Sequence, residues 1–156
     1  MSKPRKENMF DNTISESLPG FLTDSDPYTL IAREIAPLIS DDDFSDTYGT
    51  RDPAPFSPKI LALVSLFQFM EKIPDRVAAR MVKMRLDWKI ALGLPLNHKG
   101  FHFSILSEFR GRLLISKKAS LVFNRVLDRL KSLGLVRARG KQRLDASHVL
   151  GNVKSL

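Results

Sequence analysis

Asp145 stands where a basic run, "RGKQRLDASHVL", turns apolar, with Arg137, Arg139, Lys141 and Arg143 before it. A carboxylate in that setting can hold a divalent cation or pair with a neighbouring base such as Arg143 or Lys154. Alternation around Leu144, Ala146 and His148 predicts a strand that opens a sheet. The sequence stops at Leu156 without a partner strand, which reads as a chain cut short.

A second set of residues carries charge at helical spacing. Arg76, Arg80, Lys83 and Arg85 are expected to project outward from one helix, with Lys89 just beyond, and Arg110 and Arg112 from another. Guanidinium groups neutralise phosphate and can bond a guanine edge bidentately, so these residues with Arg137, Arg139, Lys141 and Arg143 form the candidate DNA-binding set. The charge is unevenly spread. Up to Pro58 there are 5 Lys/Arg against 11 Asp/Glu, a net −6; the remainder holds 20 against 6, a net +14. Like charges concentrated in one part of a chain fit a polyanionic partner, and double-stranded DNA is the leading one. A solvated basic face is the competing account.

Other chemistries find less support. Without cysteine there is neither a disulfide nor a thiolate zinc site. His98 and His102 flank Gly100 in an apparent loop and lack a third ligand in a zinc pattern. Asp41, Asp42, Asp43 and Asp46 resemble a calcium loop only loosely, since Asp46 occupies the position where the turn needs Gly; a solvated loop or helix cap is the better expectation. Trp88, Phe101, Phe103 and Phe109 offer stacking surfaces, or core. No phosphate-binding Gly-rich loop, nucleophile elbow or His-Glu-x-x-His pattern occurs. The N-terminus has no apolar secretory core, and "ILALVSLFQFM" is shorter than the roughly 20 residues of a membrane span. A cytoplasmic protein without a membrane partner is expected.

Helices must position these side chains. Residues 1–27 read as an arm, and 28–136 as a helical domain. Asp26 and Pro27 start a short helix with Leu30, Ile31, Ile35 and Leu38 on one side, limited by Pro37. Ser57 and Pro58 open "KILALVSLFQFMEKI", apolar nearly all round and so the expected buried centre. After Pro74, Val77, Ala78, Met81 and Val82 are expected to face inward. Asp87 would cap a turn closed by Gly93. Ser104 would cap a helix burying Leu106, Phe109 and Leu113, and the last helix aligns Val122, Val126, Leu130 and Leu133 before Gly134.

The stretch "LVSLFQFMEKIPDRVAARMVKMRLDWKIALGLPLNHKGFHFSILSEFRGRL" resembles the N-terminal domain of bacterial insertion-sequence transposases in its ordered series: a leucine-rich helix, an acid-Arg pair, "DWKIALGLPL", "GFH" and "LSEFR". "RLDASHVL" is similar to the segment opening their RNase H-like catalytic domain, which uses an Asp-Asp-Glu triad. The resemblance implies a mainly α fold, a helical bundle with helix-turn-helix-like elements, followed at 137–156 by the strand stub of a truncated catalytic domain. It makes Asp145 the first acid of the triad, catalytic and metal-binding only in a complete enzyme that uses Mg²⁺. No cofactor is expected in this chain. Its expected partner is the DNA of the element's terminal inverted repeats, with homo-oligomers or full-length transposase as protein partners. Two alternatives stay open: a DNA-binding regulatory protein derived from a truncated transposase, and a helical module whose basic face meets an acidic protein.

Overall fold

A computed structural model describes residues 22–48 and 55–134; the expected arm up to residue 21, and the stub with Arg137, Arg139, Lys141, Arg143 and Asp145, lie outside them. Among the described residues there are six α-helices and no strand. They are α1 (Pro27–Leu30), α2 (Pro58–Glu71), α3 (Asp75–Met84), α4 (Leu86–Leu92), α5 (Ser104–Leu113) and α6 (Lys117–Ser132). None of the helices is long and apolar enough to cross a membrane.

Local signals start and stop most of these helices as the sequence implies. Asp26 accepts a hydrogen bond from the Tyr28 N–H at 2.9 Å, and Pro27 needs no donor in the first turn. The chain then widens into a π-helical turn at Ile31–Ile35 and tightens into a 3-10 turn at Ala36–Leu38. Pro37 has no N–H to extend the ladder and its ring clashes with the preceding turn, so the helix ends there. Gly93 closes α4 with φ 66°, a left-handed position that costs glycine little. Lys72 takes the equivalent position after α2 at φ 55°, where a side chain is strained.

The expectation for α2 holds. Leu61 to Gln68 are all buried, and α2 packs against both α3 and α5. Ser65 is tolerated there because its hydroxyl donates to the Leu61 carbonyl at 2.8 Å. Phe67 sits edge-on to Tyr28 at 4.8 Å between ring centroids and tilted against Trp88 at 5.1 Å, joining α1, α2 and α4 in one core.

The acidic loop works as a capping device. Asp41 accepts bonds from the Ser57 hydroxyl at 2.8 Å and the Lys59 N–H at 2.9 Å, while Ser57 caps α2. Asp46 accepts from the Ser116 hydroxyl, and Ser116 accepts from the Ala119 N–H to cap α6. Negative charge at both helix N-termini also opposes their dipoles. Asp43 completes a capping box with Ser40 at the start of the 3-10 turn Asp41–Phe44, and Phe44 is driven into the core against Phe109.

Three expectations need correction, the first being the cap at Asp87, which lies inside α4 as its second residue while Arg85 holds the N-cap position without a side-chain bond. Val77 is 39% exposed, whereas Ala78 and Val82 are buried. The reason is Asp75, which turns inward to form two 2.7 Å bonds with the Arg110 guanidinium, and at 100° per residue this phase carries Val77 toward solvent. Ser104 begins α5 without capping it; the His102 ring accepts from the Ser104 N–H at 3.2 Å instead.

The Asp75–Arg110 pair is mostly shielded, at 21% and 8% side-chain exposure, and Gln68 on α2 also donates to Asp75 at 2.9 Å. Burial pushes the Asp75 carboxyl up, but the bonds from Arg110 and Gln68 outweigh it and hold it below its ordinary 3.8. Removing the arginine by Arg110→Ala leaves a half-buried carboxylate and is expected to cost roughly 3 kcal/mol in urea unfolding. Because the folded carboxyl is depressed, its contribution is present above the unfolded pKa and is lost as pH falls through the folded one. The stability difference between parent and Arg110→Ala should therefore shrink in acid.

Candidate nucleic-acid interface

The basic residues singled out by spacing divide by what their charges already bond. Arg85 follows α3 and is the hinge into α4. Its guanidinium bonds both Glu71 oxygens at 2.6 and 2.7 Å and both Asp87 oxygens at 2.9 and 2.6 Å. Glu71 also accepts from the Trp88 indole N–H at 3.1 Å, and the guanidinium lies 5.1 Å from the Trp88 ring centroid. The bonds to Asp87 raise the pKa of Arg85, burial opposes them, and Glu71 adds to the rise. Arg85 fastens α2 to α4 and does not project freely outward.

Arg110, Lys89 and Arg112 also differ from their expected outward placement. Arg110 is buried on Asp75, as above. Lys89 is buried in α4 with its ammonium donating to the His98 carbonyl at 3.0 Å, and burial lowers its pKa. Arg112 donates to the Thr47 carbonyl at 3.1 Å and to Glu108 at 3.3 Å, and lies 4.6 Å from the Tyr48 ring centroid. It ties the capping loop to α5. Each residue lies on a helix face that meets another segment, and helical periodicity alone does not reveal that segment.

Arg76, Arg80 and Lys83 are exposed on α3 as expected, and among the described residues no carboxylate pairs with any of them. Their i, i+4, i+7 spacing aligns them along one stripe. A turn from the loop after α4 lies alongside. Gly100, at φ 73°, approaches so closely that an added Cβ would come within 3.5 Å of the Lys83 Cβ and 3.6 Å of the Ala79 carbonyl. The Arg76 guanidinium stacks 4.1 Å above the Phe103 ring centroid, and the His102 ring lies 4.3 Å from the same ring. Arg76 is thus pre-positioned without losing its charge to an acid.

The two loop histidines serve the backbone. His98 Nδ1 accepts from the Gly100 N–H at 2.9 Å, so that nitrogen carries no proton, and the other ring nitrogen holds it in the neutral form. Burial, and secondarily the Lys89 charge, lower the His98 pKa. Lys89, His98 and Gly100 therefore form a chain of contacts from the core of α4 to the surface of α3. Lys99 and His102 are exposed in this turn and extend the polar surface beyond the stripe. Their role was not readable from periodicity, because it depends on where the loop folds back.

Of the aromatic candidates, Trp88 and Phe109 are fully buried. Phe101 packs against Phe56 at 4.9 Å, and Phe103 carries Arg76. Among the described residues no group of three or more acids and histidines is arranged to hold a metal ion. Asp41, Asp43 and Asp46 bond hydroxyls and backbone N–H groups instead.

The family model described as Transposase domain (DUF772) matches residues 17–112, more than half of the chain and the segment that contains α1 to α4 and nearly all of α5. No curated protein and no solved structure matches.

The division of charges has a direct consequence for stability. Arg80→Ala and Lys83→Ala should each leave urea stability within about 0.5 kcal/mol of the parent. Arg85→Ala removes the cation shared by Glu71 and Asp87 and is expected to cost roughly 2 kcal/mol in the same measurement.

Proposed function

The chain belongs to the transposase-domain family, and from that premise we propose that its helical domain docks on double-stranded DNA at the terminal inverted repeats of an insertion sequence. The observation that carries this reading is the α3 stripe: Arg76, Arg80 and Lys83 remain uncompensated while the other described candidate cations serve the fold. Keeping three like charges close together on one helix costs repulsion, and a row of phosphates offsets it. The net charge of +8 adds long-range attraction to the same polyanion.

In this reading the enzyme is of the DDE type, and Asp145, with Arg137, Arg139, Lys141 and Arg143 beside it, marks the entry to the catalytic part. Asp145 would hold Mg²⁺ together with two further acids, and the metal would supply activation of the attacking oxygen. The described residues contain no acid cluster that fits the ion, so no catalytic step is assigned to them. The helical domain is a positioning module, which contacts the DNA backbone so that a separate centre can act. Homo-oligomers or a longer transposase are the protein partners that this division of labour calls for.

Measuring the affinity of the chain for inverted-repeat and random duplexes across salt tests the reading. Several phosphate contacts, each contributing about one unit to the slope of log affinity against log salt, should give a steep loss between about 50 and 200 mM salt. Arg80→Glu with Lys83→Glu should weaken binding to both duplexes, whereas Asp42→Asn should not, since its side chain lies on the capping loop. Affinity that is flat in salt would overturn the reading. Added to a transposition assay, the chain should inhibit in proportion to its ratio over full-length protein, and the double-Glu variant should relieve that inhibition.

A further inference from the structure

We propose that α3 is the helix that enters the major groove and reads bases there, with Val77 and Met84 contacting thymine methyl groups beside Arg80. This rests on the DNA-docking reading above and assigns it to one helix and one groove.

Asp75 fixes the helical phase of α3. With that side chain turned inward to Arg110 and Gln68, and Ala78 and Val82 buried, the exposed arc of α3 is about 120° wide. Around that arc the order is Lys83, Arg76, Arg80, Met84, Val77. One edge is therefore basic and the other apolar. Val77 is 39% exposed and Met84 is 61% exposed. Backbone neutralisation alone has no use for an apolar edge, because phosphates offer only charge and acceptors. A single exposed apolar side chain would need no explanation, but these two lie seven residues apart, two turns of the same helix, and directly adjoin unpaired cations.

The major groove presents this combination. It is about 12 Å wide and admits an α-helix, and it displays guanine acceptors for arginine and the thymine methyl for apolar side chains. At its basic edge α3 has Arg76 held on Phe103 and the Gly100 turn alongside, which suits contact with the phosphates that border the groove. Arg80, in the middle of the arc, is the residue placed to reach a base edge. Among the described residues no other exposed helical arc combines the two properties free of acids: on α6, exposed Leu121 shares its outward face with Asp128.

The test takes duplexes selected by the full chain from a random-sequence pool and remakes them with deoxyuridine in place of thymidine, which removes the major-groove methyl and nothing else. The parent chain should bind the uracil duplexes more weakly, by about fourfold for each methyl it contacts. Val77→Ser with Met84→Ser should bind the two kinds of duplex equally while keeping the parent's salt slope. Arg80→Lys should relax base choice at one guanine position without abolishing binding. Selected duplexes that lack thymine, a parent indifferent to the methyl, or a double-Ser variant that still discriminates would each overturn the assignment. If binding in those cases remains steep in salt and sensitive to Arg80→Glu with Lys83→Glu, only the groove assignment fails. Loss of that salt and charge sensitivity would overturn the docking reading itself.

Discussion

The bidentate bond between Asp75 and Arg110 sets the rotation of α3 about its own axis, and the character of the exposed surface follows from that angle. Asp75 is the first residue of α3, Arg110 lies in the last turn of α5, and Gln68 reaches the same carboxylate from α2. Three helices therefore meet at one carboxylate. The fork geometry of guanidinium against carboxylate permits little rotation, so every later residue of α3 has its direction fixed in steps of 100°. Arg76, Arg80 and Lys83 point outward because Asp75 points inward.

The domain reaches a basic surface by spending its acids internally. Glu71 and Asp87 enclose Arg85, Asp75 holds Arg110, Glu34 bonds Arg129 at 2.7 Å, and Asp41 and Asp46 cap the serines that start α2 and α6. A carboxylate engaged in this way cannot neutralise a cation elsewhere on the surface. Among the described residues none of these acids pairs with Arg76, Arg80 or Lys83 on α3. Structure and charge pattern are one design here, since the bonds that hold the helices together also clear the stripe of counter-charge.

What could be read in the sequence was whatever depends on neighbours a few residues away. The caps at Asp26 and Ser57, the stops at Gly93 and Gly134, and the buried run of α2 all follow from local rules, and the structure has them. The ordered series resembling a transposase domain was legible for a related reason, and the family match covers most of it. The roles of Arg85 and Arg110 were not legible, because their partners lie 14 and 35 residues away, and an arginine on a helix has the same periodicity whether it meets solvent or Asp75. Val77 was misplaced for the same reason. As a β-branched apolar residue next to Ala78 it fits an inward position by type, and only the phase imposed by Asp75 turns it out.

The loop from Gly93 to Phe103 shows how a surface site can depend on a buried charge. Lys89 is costly to bury, and its ammonium loses most of its hydration to donate to the carbonyl of His98. That cost is offset only if the loop stays in place, because withdrawing the carbonyl would leave the ammonium without this acceptor in an apolar surrounding. The same His98 orders the Gly100 N–H, and Gly100 sits against α3 at Ala79 and Lys83. Three residues further on, Phe103 supports Arg76. A cation in the core thus enforces the position of a cation on the surface, without touching it, through a loop in which Gly100 takes the left-handed backbone that lets it lie against α3.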